Sequence, residues 1–410
     1  MSSRLLRLTK KLELKGYKLD ALLDVTQAIN KNLAVDELLD LYRDVLVNRL
    51  GIEKVILFTE ETGNWKSILK VGIKGEIRDV TDESFFNQSK SISLNLTSGK
   101  KTESFDVVIP VHHDEMPLAY LMVGDIGEDE IRMSPVIKHM RFIQTLTNII
   151  IVEIRNKKFI EQSLIQERAN KELELAAEMQ TLLLPKDFPE HKAYQVSAVY
   201  KPHQQVGGDY YDFLQLNDEE IMMCMADVSG KGVSAAFLMS NFQANLRALF
   251  SYRQPDMLEL IQELNERVMS SARGEKFITF FVCIYNLKTR KLKYVNCGHN
   301  PPVLTDEEGN IELLSLGTFG LGMFDKIPQV NQGEVTVKSN STVMCYTDGL
   351  VEMENDDQEE YGMERLVNIL RKAHDFSPAE LNKKVMREID DFRENQPYFD
   401  DTAILSCRIF

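Results

Sequence analysis

The 410-residue sequence predicts an α+β chain in three parts: a small α+β unit, one long helix, and a larger region of alternating strands and helices. Three observations carry this expectation. From Leu19 to Glu128 helical apolar spacing gives way to short strands. Between Pro135 and Pro185 there is no glycine or proline. From Lys186 onward strands and helices alternate with acidic turns.

A chain of this length has room for two or three domains of about 100–200 residues each. With 43% hydrophobic and 27% charged residues it belongs with folded proteins rather than disordered ones. A formal charge of −15 argues against a nucleic-acid polyanion as partner. The N-terminal "MSSRLLRLTKKLELKGYKLDALLDV" is basic but has no uninterrupted apolar core, so it is not expected to be a secretory signal. The aliphatic run Ile149–Val152 is far too short for a bilayer, and no membrane insertion is expected. Five cysteines, Cys224, Cys283, Cys297, Cys345 and Cys407, form no Cys-x-x-Cys pair and sit in strand-like contexts such as "MMCMAD". They are read as reduced core thiols of a cytoplasmic protein.

In chain order, "LDALLDVTQAINKNLAVDELLDLYRDVLVNRLG" has helical spacing and Gly51 as its stop. The stretches "EKVILFTEE", "WKSILKVG", "FDVVIPVHH" and "PLAYLMVG" follow as strands bounded by turn residues. "HHDEM" (His112–Met116) joins two of them and is read as a hairpin loop rather than a metal site. Helices flanking an antiparallel sheet make a small α+β domain, and the order and final strand pair resemble a GAF sensory domain. The second part opens with Ser134 as N-cap and Pro135 at the first helical position. A helix of about 50 residues is about 75 Å long. Its apolar positions include Leu146, Ile150, Ile154, Ile160, Leu164, Leu175, Met179 and Leu182, a stripe that needs a partner. A coiled coil in a homodimer is the expectation, and a helix folded back on its own domains is the alternative.

The third region holds the chemistry. "VGGDYYDFLQL" sets Asp209 and Asp212 around a tyrosine pair after a Gly-Gly break, which alone reads as a tight turn entering a strand. The design then recurs. An apolar run ends at Asp227, followed by the small-residue turn Val228–Gly232 and a helix. Another ends at Asp348–Gly349, and Asp400–Asp401 precede the last strand. Several carboxylates together select hard cations such as magnesium or manganese. Two such ions about 3.5–4 Å apart activate water and clamp a phosphoryl group. Competing signatures are missing: "SGKGVS" is not a Walker A loop, and there is no Gly-x-Ser-x-Gly and no His-Glu-x-x-His. His299 in "VNCGHNPPVL" is read as a turn hydrogen-bonder, not a base.

"VGGDYYDF", "ADVSGKGVSAAFLM", "FITFFVCIYN", "YVNCGHNPPVLT", "YTDGLVEMEN" and "FDDTAIL", in this order, resemble the stage II sporulation protein E and RsbU branch of the metal-dependent protein serine/threonine phosphatases, the PPM family. The resemblance covers roughly residues 172–410. It implies an αββα sandwich of two stacked sheets with two Mn²⁺ or Mg²⁺ ions at one end. Asp227 would bridge the ions, with the Val228 carbonyl completing one shell. Asp348 and Asp400 would bind the other ion, and Asp209 would act directly or through water. Asp401 would support them and Asp212 would be structural. Relatives outside the branch hold phosphate with an arginine near the N-terminal strand. No such arginine is evident, and Lys231 is a weak substitute. His203 is expected to be exposed.

The resemblance further implies, as substrate, a phosphorylated STAS-type anti-sigma-factor antagonist. The acidic loop "VEMENDDQEEYG" after Asp348 is expected to shape its docking. The domains expected are a GAF-like sensor over 1–132, a linker helix over 133–185, and a phosphatase over 186–410. Rival readings are an inactive signalling scaffold, a nuclease, which the charge disfavours, and a small-molecule phosphatase.

Overall fold

The computed structural model describes residues 2–61, 63–73, 93–96, 105–113, 116–124, 135–253 and 255–410. Ser134, the expected N-cap, and Asp114 and Glu115 of "HHDEM" lie outside the described residues. The chain divides into two compact units, residues 1–167 and 168–410.

The first unit begins with α1 (Ser2–Asn30) and α2 (Val35–Asp44), followed by a π-helical turn over Val45–Arg49. The single helical stretch expected from Leu19 to Gly51 is therefore broken. Asn32 takes a left-handed φ of 55°, which asparagine tolerates, and the chain turns there. Gly51, at φ 71°, ends the second helix as expected. Strands β1 (Lys54–Glu61), β2 (Asn64–Val71), β3 (Ser93–Leu96), β4 (Phe105–His113) and β5 (Met116–Gly124) form an antiparallel sheet in the order β2-β1-β5-β4-β3. Four of them lie where alternation placed them. β3 has only four residues, too few to show a period.

One face of this sheet packs on helices. Val55, Leu57, Ile109 and Leu121 meet Val25, Leu38, Tyr42 and Leu46, together with Ile143, Leu146, Ile150 and Ile154 of α3 (Pro135–Thr181). The Tyr42 hydroxyl and Thr147 Oγ1 pair at 2.6 Å inside that core. Burial outweighs this bond and holds the phenol above its ordinary pKa. Leu146, Ile150 and Ile154, spaced by four, therefore cover their own unit's sheet. That corrects the expectation of one continuous seam along the helix. Further along, Ile160, Leu164, Leu175, Met179 and Leu182 are exposed.

The second unit is built on two antiparallel-rich sheets. The first contains β7 (Tyr210–Gln215), β8 (Glu220–Val228), β9 (Ile278–Asn286), β10 (Lys291–Cys297), β13 (Gly317–Thr318) and β14 (Gly333–Thr336), with the order β13-β10-β9-β8-β7 and β14 on β10. The second has the order β12-β11-β15-β16-β6, from β6 (Tyr194–Lys201), β11 (Val303–Thr305), β12 (Ile311–Leu313), β15 (Ser341–Tyr346) and β16 (Thr402–Ile409). Alternation divides the second sheet's residues between two cores. Val343, Cys345, Ala403, Leu405 and Cys407 point into the core shared with the first sheet. Met344, Tyr346 and Ile404 point outward, under α7 (Gly362–Leu370) and α8 (Pro378–Phe392). On the far face of the first sheet lie α4 (Val233–Tyr252) and α5 (Met257–Ala272), which contribute Leu238, Phe242, Leu246, Leu260 and Leu264. The result is helices, sheet, sheet, helices.

Asp256 caps α5 by accepting from the Leu258 and Glu259 amides, and Ser377 caps α8 in a reciprocal pair with Glu380. All five cysteines are buried and free, and burial pushes the Cys283 thiol up to about 12. They are inert core residues. Among the described residues, no helix is long and apolar enough to cross a membrane.

Candidate active site

Asp209 stands one step beyond the Tyr210–Ala226 pair, so the β7–β8 register sets it beside Asp227. A side chain at the first glycine before Asp209 would collide with its neighbours, and one at the second would be tight. A Cβ on Gly207 would meet Tyr200 Oη at 2.1 Å and Asp401 Oδ2 at 2.3 Å. One on Gly208 would lie 3.0 Å from the Val228 carbonyl and 3.5 Å from Asp227 Oδ1. The Gly-Gly break thus lets the backbone lie directly on the acids.

The second sheet brings the other carboxylates. β15 and β16 are paired through Tyr346–Ile404, and the Thr347 amide donates to the Ala403 carbonyl at 3.1 Å. Asp348 does not end the strand, as the sequence suggested, but begins the one-turn helix α6 (Asp348–Val351). A Cβ on Gly349 would strike the Asp401 carbonyl at 2.2 Å, so only glycine lets Asp348 settle against Asp400 and Asp401.

Asp401 acts on the backbone: Oδ2 accepts from the Gly208 amide at 2.7 Å and Oδ1 from the His203 amide at 2.9 Å. The supporting role expected for it has this concrete form. The His203 side chain is exposed, as expected, with its ring bonded to the Tyr398 carbonyl. Asp212 is wholly buried and bound by Arg247 through two bonds of 2.7 and 2.9 Å, by the Tyr210 hydroxyl at 2.5 Å and by the Phe213 amide. It faces away from the other acids and ties β7 to α4.

The electrostatics follow from this crowding. Burial, then the charge of Asp227, then that of Asp401 drive the Asp209 carboxyl well above its ordinary range. Burial with the charges of Asp348, Asp400 and Asp401 pushes Asp227 up to about 7, while a hydrogen bond with Asp209 pulls the other way. Asp348 is raised by burial and by Asp400, and Glu352 by burial and by Asp348. Carboxylates from both sheets therefore act on one another, as four acids sharing one end of a sandwich must. His299 is buried, accepts or donates through Nδ1 to Thr279 Oγ1 at 2.9 Å, and is pushed down to about 4 by burial. A neutral, packed imidazole fits its expected structural part.

Among the described residues, no group of three or more His, Cys, Asp or Glu side chains stands arranged to hold a metal ion. The donor set nevertheless fits hard cations. Asp209 Oδ2 is buried without a hydrogen-bond partner, the Val228 carbonyl lies against the Gly208 loop, and the charges of neighbouring acids disfavour the ionised forms of Asp209, Asp227 and Asp348.

Four participants were not singled out by the sequence reading. Gln180, on the last turn of α3, clasps Gly207 with Nε2 donating to its carbonyl at 2.7 Å and Oε1 accepting from its amide at 3.0 Å. Tyr200 puts a buried, unpartnered hydroxyl among Asp401, Asp209 and Asp227. Thr347 hydrogen-bonds Asp209, and Glu352 joins the Asp348 end. Nothing in one sequence marks a helix glutamine or a strand tyrosine as neighbours of distant aspartates.

Comparison with known proteins adds the lineage. The family profile "Stage II sporulation protein E (SpoIIE)" matches residues 217–410. Phosphoserine phosphatase RsbU of Bacillus subtilis is 27% identical over 252 residues, covering 60% of this chain and 72% of its own length. Protein IcfG of a Synechocystis species is 24% identical over 262 residues, covering 57% of this chain. The alignment spans only 41% of that relative. Among solved structures, the SiaA-PP2C domain of Pseudomonas aeruginosa superposes with a TM-score of 0.54 at 18% identity, covering 60% of this chain and 99% of that domain. Through its second unit, the chain matches the SpoIIE family profile and shares the fold of a PP2C domain.

Proposed function

We propose that the chain is a Mn²⁺- or Mg²⁺-dependent protein serine/threonine phosphatase whose metal acids are Asp209, Asp227, Asp348 and Asp400, with the Val228 carbonyl. The observation that carries this is that burial and the crowding of neighbouring carboxylates raise Asp209, Asp227 and Asp348 together, a penalty that a bound cation would relieve. Bound at these oxygens, two divalent ions would supply the activated water and the electrostatic clamp on the phosphoryl group.

The protein's own contribution is positional. Asp401 and Gln180 hold the Gly207–Gly208 backbone so that Asp209 faces Asp227. Thr347 steadies the Asp209 carboxyl. Gly349 allows Asp348 to pack on the Asp400–Asp401 segment. Preorganised acids of this kind need no rearrangement at the moment of reaction.

The substrate we assign is phosphoserine or phosphothreonine on a regulatory protein of the STAS anti-sigma-factor antagonist type. It is supported by similarity to relatives named phosphoserine phosphatases. Residues 1–132 are assigned as a GAF-like sensor, 133–185 as a linker and 186–410 as the phosphatase domain, in a cytoplasmic homodimer. The exposed Ile160, Leu164, Leu175, Met179 and Leu182 support a second copy as the partner of α3. A turnover assay with a phosphoserine protein and a free sugar phosphate tests the substrate class. Much faster release from the protein is expected, and equal rates would refute the assignment.

A further inference from the structure

The turn after Asp227 is framed by two glycines in the left-handed region, Gly230 at φ 83° and Gly232 at φ 74°. Between them Lys231 leaves the backbone toward the second sheet's acids. Its ammonium donates to the Phe399 carbonyl at 2.7 Å and pairs with Asp400 Oδ2 at 2.6 Å. Both side chains are partly exposed, Lys231 by 48% and Asp400 by 41%. The charge reaches beyond that contact, because Lys231 opposes the rise of both Asp348 and Glu352. A cation thus already sits where the second metal's carboxylates are, held at the open rim by a flexible four-carbon stem.

We propose that Lys231 is an exchanging counter-cation: it neutralises Asp400 when the acids hold no metal, and on metal binding it is released to hold the phosphoryl oxygens of the substrate. Three features argue for exchange over a fixed bridge. Asp400 Oδ2 lies 2.6 Å from the ammonium, so a divalent ion bound to the same carboxylate would stand close to that charge and repel it. The pair is half in solvent, where such contacts are weak and readily traded. Lys231 is a basic group that opposes the rise of both Asp348 and Glu352. A lysine suits the task, being a point charge that binds phosphate from several directions. The residue that looked like a weak stand-in for a phosphate-binding arginine becomes the phosphate holder itself, with Asp400 as its resting place.

The inference rests on the metal-phosphatase reading of the same site, and calorimetry separates the two. Mn²⁺ is titrated into the full chain and into its Lys231→Met and Lys231→Arg variants, and inorganic phosphate is then titrated into each Mn²⁺-loaded protein. Removing a competing surface ion pair should tighten Mn²⁺ binding by Lys231→Met about two- to fivefold. Loss of a charged hydrogen bond should weaken phosphate about tenfold. Lys231→Arg keeps the charge and should stay near the parent in both titrations. A lysine that merely braces Asp400 would give the opposite sign, with weaker Mn²⁺ binding in Lys231→Met. That result, or unchanged Mn²⁺ or phosphate affinity, overturns the assignment alone. A parent protein that takes up no Mn²⁺ overturns the assignment and the metal reading together.

Discussion

Replacing Arg247 by methionine tests the division between metal acids and structural acids. The substitution deletes both charged bonds to Asp212, whose side chain has no solvent exposure. Deleting one partner of a buried pair costs about 3–5 kcal/mol. Here Asp212 keeps the Tyr210 hydroxyl and the Phe213 amide, and Arg247 is 41% exposed. The expected loss is therefore smaller, about 2–3 kcal/mol. At roughly 2–4 °C per kcal/mol for a unit of this size, the melting transition of the second unit should fall by about 4–12 °C. Scanning calorimetry reads that shift, and a Mn²⁺ titration of the folded variant reads the site. Mn²⁺ affinity should stay within about twofold of the parent, since Asp212 faces away from the other acids. If Arg247→Met abolished Mn²⁺ binding while the melting temperature held, Asp212 would belong to the metal site and the division would be wrong.

Three further outcomes follow from the geometry. With metal removed by a chelator, Asp227, raised to about 7, holds a proton that it would not hold unfolded. Stability should therefore fall as pH rises from about 4 to about 7, by roughly 1.4 kcal/mol per pH unit for this group alone. A metal-free melting temperature that rose across that window would contradict the sign. Gln180→Ala strips both side-chain bonds from the buried Gly207 backbone, at a cost of about 1–3 kcal/mol. It should loosen the Asp209 loop and weaken Mn²⁺ binding severalfold, and calorimetric titration would show an unchanged constant if the clasp were idle. One residue inserted near Glu167 turns the following helix by about 100° and should change activity sharply, whereas seven residues should be nearly silent. Equal activity in both, or a monomer by light scattering, would end the phase-dependent dimer.

The sequence made the acids legible because each is tied to a local signal. Asp227 ends an apolar run, Asp348 precedes a glycine, and Asp400 and Asp401 stand together before a strand. Strand periodicity also placed most of the elements, since alternation separates Val343 and Cys345 from Met344 and Tyr346 without any structure. What it could not show is distance across the chain. Gln180 meets Gly207 across 27 positions and Lys231 meets the Phe399 carbonyl across 168, and no local signal names either partner. The long helix misled for a related reason. Its apolar positions look uniform in sequence, but Leu146, Ile150 and Ile154 are already committed to their own sheet, while Ile160 and Leu164 are exposed. Asp348 was displaced by a finer effect: the strand ends at Tyr346, Thr347 takes an extended conformation as N-cap, and the chain enters a helical turn at Asp348, where the strand was expected to end.

The central claim is that the paired sheet ends hold divalent ions for phosphoryl hydrolysis. Phosphate release from a phosphoserine-bearing protein, measured with Mn²⁺ and with chelator for the parent and for Asp227→Asn, tests it most directly. The parent should release phosphate only with Mn²⁺. Asp227→Asn should lose about 100-fold or more in rate, with a melting temperature at or above that of the metal-free parent, because it removes a charged ligand and also a buried repulsion. Release that persisted in chelator, or an Asp227→Asn rate equal to the parent's, would contradict the account.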